Sequence, residues 1–161
     1  DARFEETEQD VESHMADYAN YIDKPKIRLR NIGQLSIPND EEYVYPFTTS
    51  IVKNKITHDP STNPERAVIT EDGEYLIHAQ LHFQSNSIGY RRLNIRKNGE
   101  SVVSQNTNAV SGEFTRLQIV CVLNLKKDDY VEISIRHTGG SSIDVYAQGE
   151  QSPSLVMIKV G

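Results

Sequence analysis

Two periods divide this chain. Before residue 23 apolar side chains recur every three or four positions; from Ile27 onward they recur every second position. Phe4, Val11 and Tyr18 are spaced by seven, and Glu8, Met15 and Ile22 each follow four residues later. That spacing predicts a helix with a 3-4 seam over about three heptads. Glu5, Glu6, Asp10, Glu12 and Asp17 fall between the seam positions and make an acidic outside. Two readings fit: an amphipathic helix packed on its own domain, or the end of a longer parallel coiled coil. The second is preferred, because the segment is acidic and ends at a break. At Asp23-Lys24-Pro25 proline removes an amide donor and disfavours helix in the residue before it. The expected division is therefore a helix over 1–24 and a separate domain over 25–161.

Beyond Pro25 the alternation predicts strands. Tyr75, Ile77, Ala79, Leu81 and Phe83 share one face of a long strand, and Leu76, His78, Gln80 and His82 share the other. Leu93-Asn94-Ile95-Arg96 alternates up to Asn98-Gly99, a hairpin turn that requires positive φ. Leu117 to Leu123 is apolar on both faces, the pattern of a strand covered on both sides. Tyr130 to Ile135 alternates, and Leu155 to Val160 closes the chain. Turn clusters separate the runs, from Pro38-Asn39-Asp40 to Thr138-Gly139-Gly140-Ser141. Short strands with regular turns mean an all-β sandwich or jelly roll.

Composition narrows the function. The 161 residues carry a net charge of −6, which demotes general nucleic-acid binding. No apolar run approaches the ~18–20 residues that span a bilayer, so no membrane partner is expected. The single Cys121 excludes an intrachain disulfide framework and a multi-cysteine zinc site. It sits mid-strand between Val120 and Val122 and reads as a small buried residue rather than a nucleophile. Gly-x-Ser-x-Gly, His-Glu-x-x-His and a phosphate-binding glycine loop are all absent. Glu71-Asp72 and Asp128-Asp129 read as solvated turn carboxylates, with weak calcium binding as the alternative. No enzyme, cofactor or metal centre is expected.

Asp72-Gly73-Glu74-Tyr75-Leu76-Ile77, the Lys97-Asn98-Gly99 hairpin, Leu125 to Val131 and the closing strand Ser154 to Val160 resemble, in order and spacing, motifs of the C1q/TNF-like family. Ile37-Pro38-Asn39, His58-Asp59-Pro60-Ser61-Thr62-Asn63-Pro64-Glu65-Arg66 and Gly89-Tyr90-Arg91 are similar to the C1q-like heads of bacteriophage and prophage tail or fibre proteins. The resemblance spans about residues 27–161. Asp128-Asp129 departs from the Gly-Asp of many phage members, and no collagen-like tract precedes the head.

The resemblance implies a ten-strand jelly roll assembled as a homotrimer, with the helix as a trimeric coiled coil. Phe4, Val11, Met15, Tyr18 and Ile22 would then face neighbouring subunits, as would Leu76, His78, Gln80 and His82. Clustered imidazoles there read as a hydrogen-bonded interface, a pH-sensitive joint or a metal ring; nearby Glu132 is a pairing candidate. The expected function is a phage fibre, tail or baseplate head that attaches to a bacterial surface receptor, polysaccharide being a reasonable target. It would lie on a virion surface or outside the cell and bind other virion proteins through the helix. Asn86, Tyr90, Arg91, Arg92, His137 and Asp144 are the candidate ligand contacts, chosen as loop or strand-end positions. The rivals are a purely structural trimerising virion protein, a secreted C1q/TNF-like ligand and a hydrolase domain.

Overall fold

The computed structural model describes residues 8–31 and 33–161, apart from the side chains of 19–22. Phe4 and the side chain of Ile22 lie outside the described residues.

Helix α1 (Glu8–Asp23) comes first. Residues 8–18 are all exposed, including Met15 and Tyr18 at 67% each. Val11, Met15 and Tyr18 therefore do not pack on the chain's own described strands. Thirteen strands follow among the described residues: β1 (Lys26–Arg30), β2 (Leu35–Ile37), β3 (Tyr43–Val44), β4 (Thr49–Asn54), β5 (Ile56–Thr57), β6 (Ala67–Ile69), β7 (Gly73–Phe83), β8 (Tyr90–Lys97), β9 (Glu100–Asn108), β10 (Thr115–Leu125), β11 (Tyr130–His137), β12 (Ile143–Val145) and β13 (Ser154–Lys159). All pairings are antiparallel.

The strands form two sheets. In the first, β10 pairs along one edge of β7, while β13 and β12 share the other; β1 and β2 lie beyond them, and β4 pairs β1. In the second, β11 is central, with β8 and β9 on one side and β3, β6 and β5 on the other. The count exceeds ten because long strands are interrupted. Lys55 has φ 54°, and there the chain leaves the first sheet at β4 and enters the second at β5.

Period 2 decides which side chains fill the space between the sheets. Tyr75, Ile77, Ala79, Leu81 and Phe83 of β7 are fully buried, as are Val131, Ile133 and Ile135 of β11. The β8–β9 hairpin turns at Asn98 and Gly99 with φ 52° and 85°, the left-handed pair its sequence requires. Cys121 faces inward, partly buried against the core, and burial raises its thiol pKa.

One expectation is corrected. Leu117 and Ile119 are buried, but Val120 and Val122 point away from the core and are 64% and 53% exposed. Within one chain, β10 is covered on one face only.

Helix α1, the β8–β9 hairpin and the C-terminus share one end of the sandwich. The loops 84–89, 109–114 and 138–142 crowd the opposite, distal end.

Truncating Ile133 to alanine leaves a cavity in the middle of the core, so unfolding free energy should fall by about 2–5 kcal/mol. Urea denaturation measures it, and a loss below about 1 kcal/mol would mean Ile133 does not face the core.

Candidate functional site

Two surfaces carry the functional question: the outer face of the first sheet and the distal loops.

The register sets the outer face in rows. Val122, Leu76, Ile158 and Lys26 form one; Val120, His78, Val156, Arg28 and Val52 form the next; Gln118, Gln80, Ser154 and Arg30 form the third. His82 and Arg116 lie beyond, toward the distal end. A strap from the same chain covers the distal rows. It is the short 3-10 turn Gly149–Gln151. Gln80 Nε2 donates to the Glu150 carbonyl at 3.0 Å, and the His82 ring Nδ1 lies 3.1 Å from the Gln151 carbonyl. The Glu150 carboxylate takes Arg28 at 2.5 Å and Arg30 at 3.0 Å, and these two bonds hold its pKa below the usual carboxylate range. Among the described residues no strap covers the helix-side rows. Leu76, Val120, Val122 and Val52 are exposed there, with His78 half-buried among them.

Of the four β7 residues expected to face other subunits, Gln80 and His82 are engaged by their own chain. Leu76 and His78 remain on the open part. Glu132 is not near the imidazoles. It lies on the outer face of the second sheet, with the core between. Arg96 Nε sits 3.1 Å from its carboxylate, and burial raises its pKa more than Arg96 lowers it.

That second outer face is polar and bonded within itself. Asn94 Nδ2 donates to Glu42 at 2.5 Å and to Ser134 Oγ at 3.2 Å; Ser134 Oγ also donates to Glu42, and Ser104 Oγ donates to Asn94 at 2.5 Å. Arg136 reaches Asp40 at 2.7 Å. Among the described residues the first sheet carries the apolar outer face.

At the distal end the structure corrects the exposure expected of three residues. Arg91 and His137 are fully buried. Arg91 donates to the carbonyls of Ile88 (2.8 Å), Tyr90 (3.1 Å) and Asn86 (2.9 Å), and to Asn86 Oδ1 at 3.3 Å. Four oxygens replace the water its charge lost, and burial still lowers its pKa. Asn86 is equally engaged, accepting from Ile88 N at 2.9 Å and donating to Gly139 O at 3.3 Å. His137 Nε2 lies 2.8 Å from Ile37 O, and its Nδ1 accepts from Gly139 N at 3.1 Å. Those bonds assign the proton to Nε2. All three are scaffold for the loops. Gly89 belongs with them: at φ 72° a Cβ there would lie 2.2 Å from Thr138 O.

Arg92 and Tyr90 stack together, 5.5 Å from guanidinium to ring centroid, and Arg92 Nε also donates to Asn106 at 2.8 Å. Asp144 is exposed and lines a distal cleft of about 430 Å³ with Gln34, Gln84, Ser85 and Ser142. Sequence reasoning missed these four, because surface serines and glutamines carry no distinguishing pattern. For Arg91 and His137 a signal existed: each shares strand parity with core residues, Leu93 and Ile95 for one, Ile133 and Ile135 for the other.

The turn carboxylates cap turns. Asp72 accepts from Lys127 N at 2.7 Å, and Asp129 accepts from Asn98 and Lys126 N, bonds that lower its pKa. Among the described residues no three His, Cys, Asp or Glu side chains group to hold a metal ion, and no helix is long and apolar enough to cross a membrane.

No family model and no curated protein matches the sequence. Solved structures do match by shape. Eiger TNF from S. frugiperda superposes with a TM-score of 0.63 at 13% identity, covering 86% of this chain and 93% of its own. Murine APRIL at pH 8.0 gives 0.64 at 12% identity, covering 85% and 99%. Murine APRIL at pH 5.0 gives 0.62 at 12%, with the same coverage. The fold is the TNF-like jelly roll. The likeness reaches the fold and stops there, so the two surfaces must argue function on their own.

His137 sets a pH test. Burial, the leading cause, holds its pKa below the ordinary value, and a second proton would fall on the nitrogen that accepts from Gly139. The unfolded chain therefore binds more protons as pH falls, so this contribution is present above about pH 6.5 and declines below it. Wild-type melting temperature should drop between pH 7.5 and 5.5, this residue lowering the unfolding free energy by at most about 1.4 kcal/mol per pH unit. His137→Gln should be less stable at pH 7.5 with a flatter pH profile; parallel profiles would contradict the assignment.

Proposed function

We propose that this chain is the non-enzymatic, self-associating head of a surface-attachment protein, assembled as a trimer through the open part of the first sheet. The carrying observation is the contrast between the two outer faces. The second sheet's polar groups bond one another, whereas Leu76, Val120, Val122 and Val52 stand open to solvent in a single chain. These side chains are already partly covered, so burying the rest of each contributes a fraction of the roughly 1.5–3 kcal/mol of full burial. The likeness of the fold to TNF and APRIL supports self-association. The exposed stripe Val11, Met15 and Tyr18 supports a parallel helical stalk, which would also carry the head on other virion proteins.

The likeness of His58 to Arg66 to phage and prophage heads supports a virion location, on a fibre, tail or baseplate, and a bacterial surface receptor, with glycan as its class. Separation of the two ends favours attachment: the helix occupies one end and the scaffolded loops the other. A second reading, an extracellular C1q/TNF-like ligand, is favoured by the likeness to Eiger TNF and APRIL.

Light scattering should report three times 18.2 kDa. Val120→Asp should lower that mass while leaving the β-sheet circular dichroism intact, because Val120 contributes nothing to the intrachain core. A wild-type monomer at micromolar concentration would contradict the assembly.

Fluorescent wild-type head should label cells of a bacterial host and release no reducing ends from their wall glycan. Labelling of animal cells alone would favour the second reading, and turnover that scales with the protein would make it a hydrolase.

A further inference from the structure

Two other depressions are walled in part by engaged charged side chains, which the distal cleft is not. The cavity of about 370 Å³ at the helix end is walled by engaged ions: Lys55 on Asp23 at 2.7 Å and Lys159 on Glu71 at 2.6 Å. In the cavity of about 340 Å³ beside the His58–Arg66 loop, Arg66 stacks 4.1 Å over the Tyr130 ring, and His58 is bonded to Pro64 O at 2.8 Å. In the distal cleft the side chains of Gln34, Gln84, Ser85, Ser142 and Asp144 take no hydrogen bond or ion pair among the described residues. Their surroundings are the reverse. Arg91 fastens the 84–89 loop, His137 fastens Gly139, and Asn39 Oδ1 accepts from Gly140 N at 2.9 Å. Open hydrogen-bonding groups are thus held on fixed backbone, which lowers the ordering cost of binding.

We propose that this cleft is the receptor subsite of the attachment function argued above, on which it rests, and that it takes one residue of an uncharged, hydroxyl-rich glycan. Asp144 accepts hydrogen bonds from sugar hydroxyls, and the amides of Gln34 and Gln84 both donate and accept. The chemistry of the lining selects the class. No lysine or arginine lines the cleft, so an anionic sugar would set its charge against Asp144 without compensation. A single carboxylate gives the cleft little ligand charge for a calcium ion, and among the described residues no three His, Cys, Asp or Glu side chains group to hold one. The lining has no deep apolar pocket to anchor a peptide side chain.

A second observation extends the subsite. Tyr146 follows Asp144 by two residues, hence on the same side of the strand. Its ring packs against Phe114 with centroids 4.9 Å apart and the planes tilted by 38°, and Phe114 is 46% exposed. The exposed Phe114 ring of this pair offers an apolar surface suited to the C–H face of the next sugar along a chain.

The test uses the full 161-residue chain. The probes are gluco-, galacto- and manno-oligosaccharides, with a polyuronate as the anionic comparison, read by glycan array and titration calorimetry. Wild type should bind at least one neutral probe and not the polyuronate. Asp144→Asn keeps the shape and removes the charge, and should weaken that binding about tenfold or more. Ser142→Arg fills the cleft and should abolish it. Phe114→Ala should weaken it several-fold. All three positions lie on the surface, so light scattering and circular dichroism should match wild type. Undiminished binding by both Asp144→Asn and Ser142→Arg would overturn the subsite, as would binding of the polyuronate alone or of no probe. Cell labelling separates the two levels: if Ser142→Arg labels host cells as wild type does, the cleft is wrong and attachment stands. If wild type labels no bacterial cells, the attachment reading fails and the subsite with it.

Discussion

A two-sheet sandwich hides one face of each sheet and leaves the other to be dealt with; here the two outer faces are dealt with differently. On the second sheet, Glu42, Asn94, Ser104 and Ser134 satisfy one another, and Arg96 sits over the buried carboxylate of Glu132. That face needs nothing from outside. On the first sheet, the period-2 pattern of β7 and β10 leaves Leu76, Val120 and Val122 outside as inevitably as it puts Ile77 and Ile119 inside. The chain covers the distal half of that surface with the Gly149–Gln151 strap, tied down by Arg28 and Arg30. Among the described residues no segment covers the other half. A sheet face this apolar is the strongest constraint on what the protein does in solution, because covering it stabilises association.

The same division separates the two ends. Near the helix the open groups are apolar and suit a copy of the same chain. At the distal end they are polar and rest on loops whose carbonyls converge on one buried guanidinium. Arg91 is costly to bury, and its four oxygen contacts explain why it stays there. It fixes the 84–89 loop from beneath while leaving Gln84 and Ser85 free above. The residues that hold the loops and those left unengaged are different, the division the proposed recognition surface needs.

Much of the fold was legible because alternation is a strong signal. β7, β8, β11 and β13 follow from it directly, and Asn98-Gly99 turns with the positive φ values its sequence demands. The thirteen segments were not legible as such, since a switch between sheets at Lys55 leaves no mark on periodicity. At the site, exposure was guessed from position near strand ends, and parity overruled the guess for Arg91 and His137. The strap over Gln80 and His82 was invisible for another reason. It joins residues about seventy positions apart through backbone carbonyls, which every residue possesses. The unengaged groups of the distal cleft were unreadable because a free serine and a bonded one look alike in sequence.

The account turns on whether the helix-side surface of the first sheet is covered in the native protein. A thiol placed there by Val120→Cys, in a Cys121→Ser background, reports this directly through its rate of reaction with a water-soluble maleimide. Residue 120 is 64% exposed among the described residues of the single chain, so a shielded thiol that opens on dilution reports association. The account predicts a thiol that reacts far more slowly than a Ser85→Cys control on the distal loops, and that quickens as the protein is diluted. A thiol at 120 that reacts as fast as the control at every concentration would contradict it.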